Sequence, residues 1–105
     1  MSAQPAPTAT FDPVPVVTDH AADRWDLRTR PESISPEAAW VEAYELRLPT
    51  PQYRHVDEAR YWRPDEVVLI RQDAVIPTVL DAFGPDARTI VSEAVRNQFY
   101  GGGRP

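Results

Sequence analysis

The amino-acid sequence predicts one α+β domain, with two N-terminal helices, a small antiparallel sheet of roughly three strands and a C-terminal helix. Three observations lead there. The chain has 105 residues, 42% of them apolar, which supports one core and not two. Its first half carries helix-start signals, Thr18 before Asp19 and Ser35 before Pro36. Short apolar runs separated by turn residues fill the middle, and helical spacing returns near the end.

Taken in order, residues 1–15 hold four of the twelve prolines, few apolar side chains and almost no charge. They read as a disordered tail, because they bury too little to offset the entropy of ordering. The folded domain is expected over residues 16–100 and a flexible glycine-rich tail over 101–105. Thr18 caps a helix from Asp19 to about Thr29, which Pro31 ends. Ser35-Pro36-Glu37 starts a second helix with a cap, a proline at the first position and an acid facing the helix dipole. Ala39, Trp40, Ala43 and Leu46 then recur at helical spacing until Pro49 and Pro51 close the segment.

Three strands follow. In Glu58–Trp62, Ala59 and Tyr61 share one face while Arg60 and Trp62 share the other. The run Val67-Val68-Leu69-Ile70 makes a second strand over 66–71, and residues 74–80 make a third, with Gln72-Asp73 as the tight connection. Pro77 has no N–H to donate, so its strand is an edge, bulged or broken there. From about Pro85 to Tyr100 a third helix is expected, its stripe of Ala87, Ile90, Val91 and Ala94 recurring at threes and fours. The helices are expected on one face of the sheet.

Charge and composition exclude several functions. Sixteen acidic residues face eleven basic ones, all arginine, for a net charge of -5. The missing lysine suits a GC-biased coding sequence or a salt-rich cytoplasm. At ~1 M salt the screening length is only ~3 Å and an acidic surface repels nucleic acid weakly. In ordinary buffer the charge opposes non-specific polyanion binding, so a nucleic-acid site requires a local arginine cluster. With no cysteine there are no disulfides and no thiolate metal sites. No apolar run reaches the ~18–20 residues of a membrane span, and no signal-peptide pattern opens the chain, so a cytoplasmic setting is expected. Neither a phosphate-binding glycine loop, nor a nucleophile elbow, nor a histidine pair at metal spacing is present, and no cofactor or metal is expected.

The remaining chemistry lies in two places. His20, Arg24 and Arg28 recur every four residues and share one face of the first helix. Neighbouring guanidiniums push an imidazole toward its neutral form, which suits a general base, and hold phosphate by bidentate hydrogen bonds. The bland alternative pairs these arginines with Asp19, Asp23 and Asp26. The second place is Arg60-Tyr61-Trp62-Arg63, where cations and aromatics interleave as on surfaces that stack bases. Its alternative buries the aromatics and pairs the arginines with Asp57, Glu58 and Asp65. Arg71 extends a basic strip across the sheet, and Thr78 offers a hydroxyl on the third strand.

The succession from His20-Ala21-Ala22-Asp23-Arg24 through Ile34-Ser35-Pro36, Arg60-Tyr61 and the Val67-to-Ile70 strand to Val75-Ile76-Pro77-Thr78-Val79-Leu80 resembles small toxin-related domains of the RelE-like superfamily, over residues 16–82. The resemblance implies a compact α+β fold and, as in many relatives, endoribonuclease activity on messenger RNA without metal or cofactor. It implies a catalytic set of His20, the proton-transfer residue near the 2′-hydroxyl, with Arg24 and Arg60 neutralising the phosphorane. It also implies substrate binding by Arg28, Tyr61, Arg71 and Thr78, Tyr61 stacking or orienting a base and Thr78 bonding a phosphate or the histidine. The implied partners are RNA and an antitoxin or other protein, the latter through the C-terminal helix. A different class of function, a non-catalytic interaction module or accessory protein, fits the same scaffold.

Overall fold

A computed structural model describes residues 13–50 and 52–101. The expected tails lie outside the described residues as far as position 12 and beyond position 101. In chain order the elements are β1 (Val16–Val17), α1 (Asp19–Arg28), α2 (Pro36–Glu42), β2 (Tyr44–Leu46), β3 (Glu58–Trp62), a 3-10 turn (Arg63–Asp65), β4 (Val67–Gln72), β5 (Val75–Asp81) and α3 (Thr89–Phe99). The α+β class, the two N-terminal helices and the C-terminal helix are as expected. The sheet is larger and mixed: its five strands run β1-β5-β4-β3-β2, with β1 parallel to β5 and every other pair antiparallel. The two added edge strands span only two and three residues, too short to show a period in the sequence.

Helices cover both faces of the sheet, and not one as expected. The reason lies in β4, where Val67, Val68, Leu69 and Ile70 are all buried in succession. Side chains alternate along a strand, so four buried neighbours require a cover on each side. Val67 and Leu69 pack with Ala21 and Trp25 of α1, Ala39 and Trp40 of α2, and Ile76 and Val79 of β5. Val68 and Ile70 pack with Ala59 and Tyr61 of β3, Leu46 of β2, and Val91, Ala94 and Val95 of α3. The apolar stripe of α3, expected to be available to a partner, is thus occupied by the chain's own sheet.

This division also explains where α2 stops. The expected helical series Ala39, Trp40, Ala43, Leu46 mixes two cores: Ala39 and Trp40 point to the α1 side, Leu46 to the α3 side. The helix ends at Glu42 with Ala43 extended, and the chain crosses the sheet edge as β2. The start of α3 is also later than expected. Gly84, at φ 101°, opens a turn in which the Ala87 N–H donates to the Gly84 carbonyl, and helix begins only at Thr89.

Pro77 sits at an irregularity within β5. Ile70 pairs with Thr78 and Gln72 with Val75, so Ile76 and Pro77 together oppose Arg71. This bulge accepts a residue without an N–H and shifts the side-chain parity, so that Ile76 and Val79 point into the same core. The β4–β5 connection is Asp73-Ala74, one residue beyond the expected position, with Asp73 at φ 55°. Its N–H donates to an Asp57 carboxylate oxygen at 2.6 Å, and its carbonyl accepts from Arg71 at 2.7 Å.

Where β1 ends, α1 takes over the side of β5. Thr18 caps α1 through the Ala21 N–H and donates to the Ile76 carbonyl, and Arg28 at the far end pairs with Asp81. The α1–α2 connection is pinned to the 3-10 turn through Asp65, whose side chain is 2% exposed. That carboxylate accepts hydrogen bonds from Ser33 Oγ, from the Arg30 N–H and Nε, and from Trp62 Nε1. Burial alone would raise its pKa, but the four donors together overcome it and hold Asp65 below the ordinary carboxylate value.

Candidate functional site

The α1/α2 side of the sheet carries two groups of polar side chains. The first lines a cleft of about 450 Å³ between the segment Pro13 to Val16, Trp40 of α2 and the ends of β3 and β4. Alternation along β3 places Glu58 and Arg60 on this face, and cross-strand pairing brings Arg71 beside Glu58. Arg60 Nε donates to Glu58 Oε2 at 2.7 Å and Arg71 Nε donates to Glu58 Oε1 at 3.2 Å, so one carboxylate joins two guanidiniums. Arg60 Nη1 also donates to the Trp40 carbonyl at 2.7 Å, and its guanidinium lies 4.2 Å over the Trp40 ring. Asp73 completes the charged lining, which is therefore balanced at two cations and two anions. Each guanidinium keeps unused N–H donors, so the cleft suits a ligand with both donor and acceptor edges better than a bare polyanion.

The second group is the outer face of α1. His20 is exposed and Arg24 half-buried, and neither makes an ion pair or a side-chain hydrogen bond among the described residues. Asp19, Asp23 and Asp26 do not pair with the helix arginines as the bland alternative required. Arg28 instead reaches Asp81, with Nε 3.6 Å from Oδ2 and side chains 22% and 26% exposed. Its Nε is buried without a hydrogen-bond partner.

The sequence-derived candidates therefore fall into three places. Arg60 and Arg71 meet in the cleft. His20, Arg24 and Arg28 share α1, and no hydrogen bond or ion pair among the described residues joins them to Arg60. Tyr61 and Thr78 lie on the opposite face of the sheet. Tyr61 is fully buried, against its expected role as a base-stacking residue, because its face is the one α3 covers. Burial, and then the hydrogen bond with the Tyr100 hydroxyl at 2.9 Å, raise its pKa well above that of free tyrosine. Thr78 pairs with Ile70 and shares that side.

Glu58 entered the sequence reading only as a partner for the arginines, and Trp40 and Asp73 did not enter it as site residues. The spacing Glu58-x-Arg60 on a strand was the available signal, since residues two apart share a face. Asp57 and Asp65, offered there as arginine partners, serve the β4–β5 turn and Arg30. Among the described residues no cluster of three or more metal-ligating side chains occurs, and no helix is long and apolar enough to cross a membrane.

Fold and polar groups together define a small α+β domain with an arginine–carboxylate cleft and a histidine–arginine helix face on the same side of its sheet. Over residues 17–83, from β1 to just past β5, the chain matches the family model described as "Putative RelE superfamily toxin domain", and it belongs to that family. No curated protein and no solved structure matches it significantly.

Proposed function

We propose that the domain acts on RNA as a metal-independent endoribonuclease, with His20 and Arg24 at the reacting phosphodiester. The observation that supports this best is their placement: an imidazole and a guanidinium one helical turn apart on the outer face of α1, neither paired with a carboxylate among the described residues. His20 accepts the proton of a ribose 2′-hydroxyl, whose oxygen attacks phosphorus, and the P–O5′ bond breaks to leave a 2′,3′-cyclic phosphate. The departing 5′-oxygen takes a proton from water. Arg24 offsets the charge that grows on the phosphorane oxygens, where preorganised donors act most strongly. Arg28, held by Asp81, orients that face, while Arg60 and Arg71 in the cleft bind substrate. Tyr61 and Thr78 take no part.

The experiment is induced expression with RNA analysed in the presence of a chelator. Growth arrest and fragments ending in cyclic phosphate are expected, and both are lost in His20→Ala. A second reading, a non-catalytic interaction module, draws on one observation: no hydrogen bond or ion pair among the described residues links His20 to Arg60, whose partners are Glu58 and the Trp40 carbonyl. Its docking surface is then the exposed Leu27 and Val41 on the helices, since α3 is spent on the core. Unchanged growth and intact RNA at both low and high salt would leave only that reading.

A further inference from the structure

The cleft beside Trp40 carries a finer pattern than its balance of charge. Glu58 and Arg71 are paired across β3 and β4, and the Glu58 carboxylate stands between two guanidiniums, one oxygen to each. Arg71 spends its Nε on Glu58 Oε1 and one Nη1 hydrogen on the Asp73 carbonyl. Arg60 spends its Nε on Glu58 Oε2 and one Nη1 hydrogen on the Trp40 carbonyl, with its plane over the Trp40 ring. Each guanidinium is thus held at two points, and its outer N–H edge stays open and fixed in direction. A carboxylate has about four lone-pair positions, so Glu58 also keeps acceptor capacity. The side chains of Glu58, Arg60 and Arg71 are only 21%, 27% and 28% exposed, which strengthens any hydrogen bond made to them.

The open groups along this wall are therefore donors directly beside acceptors. Across the cleft, Pro13 and the exposed Val14 and Val16 supply apolar surface. A matching ligand has apolar faces and a rim on which two acceptors adjoin two donors. An inorganic anion fails, because it meets the Glu58 carboxylate. Among the four RNA bases only guanine has that order, with N7 and O6 followed by N1–H and the N2 amino group. Adenine and cytosine each present a single amino group among acceptors, and uracil a single N–H between two carbonyls.

We propose that the cleft binds a guanine base, with Arg71 donating to N7 and O6 and Glu58 accepting from N1–H and N2. Val14 and Val16 cover the ring, and Arg60, anchored on Trp40, keeps Glu58 in place. Guanine binding here deepens the reading of Arg60 and Arg71 as substrate-binding residues, on which it rests. It makes Glu58 and Arg71 the residues that set sequence preference.

The test is an amide-shift titration of the full chain with GMP, AMP, CMP and UMP, read at residues 58–60 and 71–74. GMP should give saturable shifts there and bind about tenfold more tightly than the other three. Inosine monophosphate, which lacks the N2 amino group, and 7-deaza-GMP, which lacks N7, should each lose about tenfold with the protein unaltered. Glu58→Gln should abolish the preference for GMP over AMP, even as its more cationic cleft holds every nucleotide more tightly. Arg71→Lys keeps the charge but not the planar fork, and should abolish the preference too. Equal binding of the four nucleotides, shifts away from the cleft, or a preference unaltered in both variants would overturn the site. A uridine pentanucleotide with a central guanosine separates the sources: binding tighter than GMP assigns an RNA strand, and equal binding assigns a free nucleotide. A cleft without preference in a protein that still cuts RNA refutes the guanine site alone. Intact RNA beside a retained preference refutes the nuclease alone.

Discussion

The hydroxyls of Tyr61 and Tyr100 lie 2.9 Å apart and tie the middle of the sheet to the residue that ends α3. The two partners are unequally placed, for Tyr61 is sealed and Tyr100 only partly buried. Tyr100→Phe leaves a buried hydroxyl unpaired and should cost about 1–3 kcal/mol. Tyr61→Phe leaves a hydroxyl that water can reach and should cost about 1 kcal/mol or less. Urea unfolding of both variants checks the order; equal costs would mean that the bond does not matter to stability.

Asp65 makes stability fall in acid. Its folded pKa is depressed, so the contribution is complete above the unfolded carboxylate value of about 4 and is lost as pH falls through the lower folded value. Asp65→Asn should lower stability at neutral pH by about 1–3 kcal/mol, since an amide cannot accept from all four donors. It should also flatten the stability profile below pH 4. Thermal melts across that range give the answer, and an unchanged acid slope would assign it to other carboxylates.

Glu58 restrains two guanidiniums at once. Glu58→Gln turns the balanced cleft into a cationic one without changing its shape. Single-stranded RNA should then bind more tightly, with a salt dependence steeper by about one phosphate contact. Fluorescence anisotropy at several salt concentrations measures both, and an unchanged slope would place the RNA path away from Arg60 and Arg71.

Stability and chemistry are separable on α1. His20→Ala and Arg24→Ala remove side chains with no partner among the described residues and should shift stability by less than about 0.5 kcal/mol. Arg28→Ala strands the half-buried Asp81 and should cost about 1–2 kcal/mol. Melting temperatures of the three variants test this ranking. Lost cleavage in His20→Ala with a native melt then reports on the reaction itself.

Local chemistry was enough to read much of the fold. Thr18 and Ser35 announce their helices, Pro77 announces an irregular strand, and alternation assigns Ala59 and Tyr61 to one face and Arg60 to the other. The four-residue run in β4 also held the two-sided architecture, since a strand with water on one face alternates. The candidate site was legible only in part. His20, Arg24 and Arg28 share a helix face by spacing alone, whereas the meeting of Glu58 with both Arg60 and Arg71 depends on strand pairing.

What the amino-acid sequence determined by itself is the set of local states: caps, breaks, turns and the period of each element, all governed by interactions within a few residues. Tertiary structure alone decided which core each apolar residue joins. It ended α2 at Glu42 because Leu46 belongs to the other side of the sheet, and it buried Tyr61 under α3. It also put Arg60 in a cleft apart from His20. Those outcomes rest on contacts between distant segments, whose energies no local pattern encodes.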